Sequence, residues 1–260
     1  MTAEQTKRFK YWQWRTIIGT MIGYAIFYFV RKNFSFAIPG LTAEYGISKT
    51  TFGVIMTLVG LIYGVSKFVN GVLADRTNGR WHMVTGLSVC SVINFIFGCG
   101  AIICAWITGQ TYGTTFIHTL VVLFGVLLIL NNMFQGCGFP PCNRLITHWV
   151  PPKELATKMS IWNMSHSIGA GLIFVLGALL VHHFDNSAWR LCFLVPAVIS
   201  LIGAGALYLT LRGSASWRIR RASPKRWTPL RPKPMSPMRC SMSAPGSGRS
   251  GFRLPSRCWA

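Results

Sequence analysis

The sequence predicts an all-α membrane protein: six transmembrane helices followed by a disordered basic C-terminal tail. Three observations carry this. The 260-residue chain is 51% hydrophobic and only 12% charged, with a mean hydropathy of +0.42, which is too oily for an ordinary soluble domain. Six apolar stretches are long enough to cross a bilayer. The net charge of +21 is unevenly spread: residues 213–260 hold 11 Lys or Arg and no acid, leaving 15 basic and all 5 acidic residues in 1–212.

A crossing needs about 20 mostly apolar residues to match a hydrocarbon core about 30 Å thick. Residues 1–16 form a basic N-terminal segment. Its "KRFKYWQWR" precedes apolar sequence without a small-residue cleavage site, so the first stretch, 17–41, reads as an uncleaved span. The others are 51–74, 81–107, 117–140, 158–182 and 189–211. Trp12, Trp14, Trp81, Trp106, Trp149 and Trp189 fall at or near their ends, where indole prefers the headgroup region. Glycines in "GLIYGVSKFVNG" and "SIGAGLIFVLGALL" allow close backbone approach and predict a packed bundle over 17–212.

Orientation follows the short loops. Lys7, Arg8, Lys10 and Arg15, then Arg76 and Arg80, then Arg144, Lys153 and Lys158, then Arg212 fall on one side, against Lys49 and Arg190 on the other. The rich side is expected to be cytoplasmic, which places both termini of a multi-pass inner-membrane protein inside. Eight cysteines show no Cys-x-x-Cys pair; they read as small buried hydrophobes, with no metal site, cofactor or secreted disulfide framework expected.

Three cations fall inside spans: Arg31 and Lys32 in the first and Lys67 in the second. Each costs about 2.5–3.5 kcal/mol at mid-membrane on insertion scales, so such residues normally face a partner or a watery cavity. No acid lies deep in these spans; Asp75 is at a helix end, and Glu44 and Asp185 are in loops on the opposite side. An external anion is therefore the expected counter-ion.

Helical spacing puts Tyr24, Tyr28, Arg31 and Ser35 on one face of the first span. Gly60, Tyr63, Lys67, Asn70 and Ala74 make a similar line in the second. In the fifth, Trp162, His166 and Gly169 or Ala170 share a face, with Asn163 beside it. Arg offers a planar donor fork to two oxygens, Lys a mobile charge and Tyr a neutral hydroxyl. With a titratable His these suit a phosphate monoester, which carries about 1.5–2 negative charges near pH 7. Lys32 points about 100° from Arg31 and has the competing role of snorkelling to an interface.

"GVLADRTNGR", residues 71–80, resembles the signature loop between the second and third helices of the major facilitator superfamily, with Gly71, Asp75, Arg76, Gly79 and Arg80 in the expected places. Such a loop acts as a conformational hinge in which charged residues cap and pair with helix ends. "GYAIFYFVRKNFSFAIP", "YGVSKFVNGVLADRTN", "FQGCGFPPCNRLITHW" and "WNMSHSIGAG" together resemble the organophosphate:phosphate antiporter family. That family holds glycerol-3-phosphate and hexose-6-phosphate transporters and a related sugar-phosphate sensor.

The resemblance covers residues 11–212 and implies the N-terminal half of a major facilitator fold. It implies Arg31 as the phosphate-binding arginine, His166 as the cavity histidine, Lys67 as a cavity lysine, and Tyr24, Tyr28 and Tyr63 as hydroxyl-bearing neighbours; Lys32 follows the family's Arg-Lys pair. Ser167 and Ala170 stand where the family often has Asn and Gly. The implied function is not enzymatic: antiport of an organophosphate against inorganic phosphate, with the alternative of a hexose-phosphate sensor signalling through a membrane kinase. Family members hold substrate between two six-helix halves, so the expected partners include a missing C-terminal half or a second copy.

The resemblance stops near "LYLTLR", 207–212. The segment 213–260 contains no Asp, Glu, Val or Tyr and cannot form further spans. An out-of-frame reading explains the loss of acids and the end of the resemblance together. The competing account is a genuine basic segment attracted to anionic lipid; no specific nucleic-acid partner is expected.

Overall fold

The computed structural model describes residues 3–184 and 189–211; the basic tail, Asp185 and Arg212 lie outside them. Among the described residues are nine helices and no strand: α1 (Ala3–Lys32), α2 (Phe34–Tyr45), α3 (Lys49–Arg76), α4 (Gly79–Gly98), α5 (Gly100–Thr108), α6 (Thr114–Gln135), α7 (Phe139–Trp149), α8 (Pro152–Phe184) and α9 (Leu191–Thr210). They make six passes, because α1 runs into α2, α4 into α5 and α6 into α7 with only one to three residues between.

Five runs are long and apolar enough to cross a membrane: α3, α4, the joined stretch Thr114–Trp149, α8 and α9. The first of the six expected passes is different. Lys7, Arg8, Lys10, Arg15, Arg31 and Lys32 all lie in α1, and the helix is interrupted at Asn33, so neither piece has an unbroken apolar length of its own.

Local chemistry accounts for the ends. Ser48 caps α3 by accepting a hydrogen bond from the Thr51 amide at 3.1 Å, and Asn78 caps α4 by accepting from Arg80 at 3.2 Å. Gly46 closes α2 at φ 66°, a left-handed conformation that favours glycine. Proline occupies the first turn of α7 and the first position of α8, where a missing N–H is tolerated.

The principal packings are α1 on α8 and α9, α3 on α6, and α4 on α9 and α6. By passes, the first lies on the fifth, the fourth on the second, and the third on the sixth. Exchanging the first three passes for the last three leaves that pattern unchanged. A three-plus-three relationship between the passes is therefore visible in the packing.

Two apolar cores result. The one at the end away from the basic loops gathers Phe34, Phe97, Phe124, Trp189 and Phe193, with the Phe97 and Phe193 rings stacked 4.9 Å apart. The other, toward the basic loops, gathers Ile17, Phe27, Met83, Leu87, Leu145, Trp162 and Leu207. In lipid these contacts gain packing rather than dehydration, so close approach matters more than bulk. Gly169 shows this: a Cβ there would run into the Ala25 backbone of α1.

Between the cores lies a polar belt. Asn33 donates to Asn94 Oδ1 at 2.8 Å and to the Cys192 carbonyl at 3.1 Å; Asn94 and Asn131 both donate to the Val30 carbonyl, at 3.2 and 2.9 Å. Ser91 donates to Ser200 at 2.8 Å. Polar groups at the break in the first pass are thus met by side chains from the third and fourth passes and by a backbone carbonyl of the sixth, as a non-aqueous environment demands.

Candidate anion-binding site

The polar face of α1 projects Tyr24, Tyr28 and Arg31 away from the belt. Tyr24 is buried, with its ring 5.0 Å from Trp162 of α8 and 6.2 Å from Phe139 of α7. Tyr28 follows, 5.6 Å from Tyr24 and 6.0 Å from the His166 ring of α8. Gly169, one turn along α8 from Ser165, lets that helix approach α1 closely enough for these rings to meet.

Arg31 reaches across to α3. It donates to the Tyr63 hydroxyl at 2.8 Å, and its guanidinium lies 3.9 Å from the centre of the Tyr63 ring and 5.5 Å from that of Tyr28. Lys67, one turn further along α3, places Nζ 4.8 Å from the same Tyr63 ring and 5.8 Å from Phe139. Two cations therefore share one aromatic ring, which attracts each through its negative face. Among the described residues neither has a carboxylate within ion-pair distance; the ion pairs there are Lys158 with Glu154 and Arg190 with Glu44.

Both charges lie within 5 Å of the Tyr63 ring centre. They are therefore at most about 9 Å apart, and at an effective dielectric constant of about 20 they repel by about 2 kcal/mol or more. A dianion in contact with both makes the sum of the three pairwise interactions attractive. Arg31 is half-buried and has given only one of its five N–H donors to the Tyr63 hydroxyl; Lys67 is exposed.

Below Lys67 an open cavity of about 680 Å³ runs between α3 and α7, lined by Lys67, Gly71, Asp75, Phe139, Asn143 and Arg144. Arg144 donates to the Thr77 carbonyl at 2.8 Å and also to that of Ala74, capping the C-terminus of α3. Asp75 and Arg76 are exposed; Asp75 has no ion pair within 4.0 Å among the described residues. Arg80 stacks 4.0 Å from the Tyr208 ring of α9, and a Cβ on Gly71 would meet open space. The arginine side-chain cap on the C-terminus of α3 thus comes from α7, a contribution that the pattern in 71–80 did not reveal.

Six of the expected site residues, Tyr24, Tyr28, Arg31, Tyr63, Lys67 and His166, join in one chain of contacts. Lys32 and Asn163 do not: both are exposed, without a hydrogen bond, ion pair or ring contact among the described residues. The line expected along α3 also divides. Asn70 turns into the protein, donating to the Ser66 carbonyl at 2.9 Å and accepting from the Cys137 thiol at 3.0 Å, while Tyr63 and Lys67 face the cluster. Ser35 lies beyond the break at Asn33 and is exposed. Trp162, which the spacing places on one face with His166, packs against Tyr24; Phe139 is a further structural member of the site, contained in "FQGCGFPPCNRLITHW", but an aromatic residue in an apolar run carries no positional signal of its own.

The sequence model of the Major Facilitator Superfamily matches residues 20–249, a span that includes part of the basic tail. A probable hexose phosphate transport protein of Chlamydia muridarum is 38% identical over 75% of this chain and 38% of its own length. A glycerol-3-phosphate transporter of Bacillus subtilis is 38% identical over 76% of this chain and 41% of its own length. The membrane sensor protein UhpC of Escherichia coli is 33% identical over 75% and 40%. The chain spans about two-fifths of the length of these curated relatives. In fold it is similar to a bacterial homolog of the human lysosomal transporter Spinster, in an inward-facing and unoccupied conformation, at 20% identity and TM-score 0.53, covering 77% of this chain and 43% of that one.

Proposed function

Because the chain belongs to the Major Facilitator Superfamily, we propose that this multi-pass membrane protein forms one wall of a transport cavity for phosphate esters and exchanges an organophosphate for inorganic phosphate. The observation that carries the reading is the pair Arg31 and Lys67 on the Tyr63 ring with no carboxylate in ion-pair distance of either among the described residues. The relatives whose names include hexose phosphate and glycerol-3-phosphate support it.

Arg31 grips phosphoryl oxygens with its remaining donors, Lys67 adds to the field, and the hydroxyls of Tyr24, Tyr28 and Tyr63 orient the group without adding charge. His166, against Tyr28, responds to the charge of the substrate. Lys32 and Asn163 act only if the cavity's other wall brings anionic surface to them. No bond in the substrate is made or broken. Both substrates share the phosphoryl group, which makes exchange through one site workable. Of the hinge residues, Gly71 and Asp75 line the cavity, and Arg76 and Arg80 follow them in the loop on the basic side, which we assign to the cytoplasm of an inner-membrane protein.

The exposed faces of α3 and α8 favour a second six-helix unit as the opposing wall, either a C-terminal half or a second copy: only 17% and 22% of their apolar windows are buried, against 61% for α4. The 33% identity to a membrane sensor supports a second reading, in which binding is coupled to a membrane kinase instead of to exchange.

The test is binding of inorganic phosphate and glucose 6-phosphate to the full chain, followed by counterflow in phosphate-loaded proteoliposomes. Binding with exchange, both lost in Arg31→Ala, is the expected result. Binding without exchange, where the chain supplied with an opposing six-helix unit also fails to exchange, selects the sensor, and no binding of either anion overturns the phosphate site.

A further inference from the structure

A second cavity lies on the opposite side of α1 from the Tyr63 cluster. It is a groove of about 440 Å³ between α1 and α9, walled by Ile18, Gly19 and Ile22 from one helix and Gly203, Ala206 and Leu207 from the other. Small residues at 19, 203 and 206 leave the space. Toward the bilayer centre Ile26 packs against Gly203, where a Cβ would come within 2.6 Å of it. Ile18 and Ile22 are about half exposed, so the groove opens outward along the apolar surface of the bundle. Its walls offer no hydrogen bond, so an occupant of its length is an apolar chain.

The end toward the basic loops has different chemistry. Arg15 and Thr210 close it. Arg15 donates to the Thr210 and Leu209 carbonyls at 3.2 and 3.1 Å and to the Tyr11 hydroxyl at 3.3 Å, leaving two of its five N–H groups for another acceptor. Arg8, Tyr11, Arg15, Ile18 and Ile22 follow one another at three- and four-residue spacing, so the cationic strip continues directly into the apolar groove. Arg15 is held in place by the end of α9 rather than free to follow solvent.

We propose that this groove is a binding site for an anionic phospholipid, with one acyl chain between α1 and α9 and the headgroup phosphate on Arg15, supported by Arg8 and the Tyr11 hydroxyl. A basic group at the mouth of an intramembrane groove selects an acidic headgroup, and the apolar walls select a lipid over free phosphate, to which they offer nothing. The site is independent of Arg31.

Native mass spectrometry of the detergent-solubilised full chain, with phosphatidylglycerol or phosphatidylcholine of identical acyl chains, tests it. Phosphatidylglycerol should be retained at least about fivefold over phosphatidylcholine. Ala206→Phe, which fills the groove from an exposed position, should remove most of the retained lipid. Arg15→Gln should cut the headgroup preference to the background set by the basic tail, and a preference unchanged in Arg15→Gln would overturn the assignment. The basic tail is present in every variant and contributes the same background. Arg31→Ala should keep the lipid while losing inorganic phosphate. Equal retention of the two lipids by the unaltered chain, unchanged retention in Ala206→Phe, or loss of lipid in Arg31→Ala would each overturn the assignment.

Discussion

Arg31 and Asn33 are two residues apart at the same break in the first pass, and they solve the problem of polarity in an apolar setting in opposite ways. Asn33 is buried and answered by its own protein, through Asn94 and the Cys192 carbonyl. Arg31 is half-buried, rests on the Tyr63 ring, and meets no carboxylate among the described residues. A buried polar group that the fold satisfies is part of the structure; a charge that the fold cradles but leaves uncompensated is a place for a ligand.

Breaking the satisfied side should have the largest effect on stability. Asn94→Leu removes donors to the Val30 and Cys90 carbonyls and the acceptor for Asn33. A loss of about 2 kcal/mol is expected, given roughly 0.6 to 1.7 kcal/mol per interhelical hydrogen bond in membranes. Thermal unfolding in detergent measures it, and the surviving folded protein should still respond to phosphate. A response lost along with stability would mean that belt and site are one unit.

The uncompensated side should behave the other way. Arg31→Lys keeps the charge but removes the planar fork, so phosphate affinity should fall by about tenfold while the unfolding temperature stays within error. Calorimetric titration separates the two. Lys67→Gln should weaken phosphate by about threefold, less than Arg31→Lys because Lys67 is exposed and screened, and the loss should shrink as salt is raised. The smallest effect belongs to Lys32→Gln, within about twofold, since nothing in the site touches it. An effect of Lys32→Gln equal to that of Arg31→Lys would break the assignment of the two neighbours to different faces.

The members of the site were readable where a charge or a period marked them. Arg31 and Lys67 are conspicuous because ionised groups in apolar runs are energetically costly, and the spacing of Tyr24, Tyr28 and Arg31 holds on a continuous helix. The projection failed for two reasons: Ser35 lies past the break at Asn33, and Asn70, on the unbroken α3, is drawn into the protein by Ser66 and Cys137 instead of following Lys67. The asparagine belt was invisible for a different reason. Asn33, Asn94 and Asn131 are uncharged, lie 61 and 37 residues apart in sequence, and acquire meaning only when four passes meet.

Hydropathy and charge, by themselves, determined that the chain is helical and membrane-spanning, and which cations lack a local counter-ion; a helix satisfies its own backbone, so its existence needs no neighbour. Only the tertiary structure decided that Arg31 and Lys67 meet on one ring, that Arg144 caps α3, and that the first three passes pack as the counterparts of the last three. Those facts depend on which helix faces touch, and contact between distant segments is set by packing that no single segment encodes.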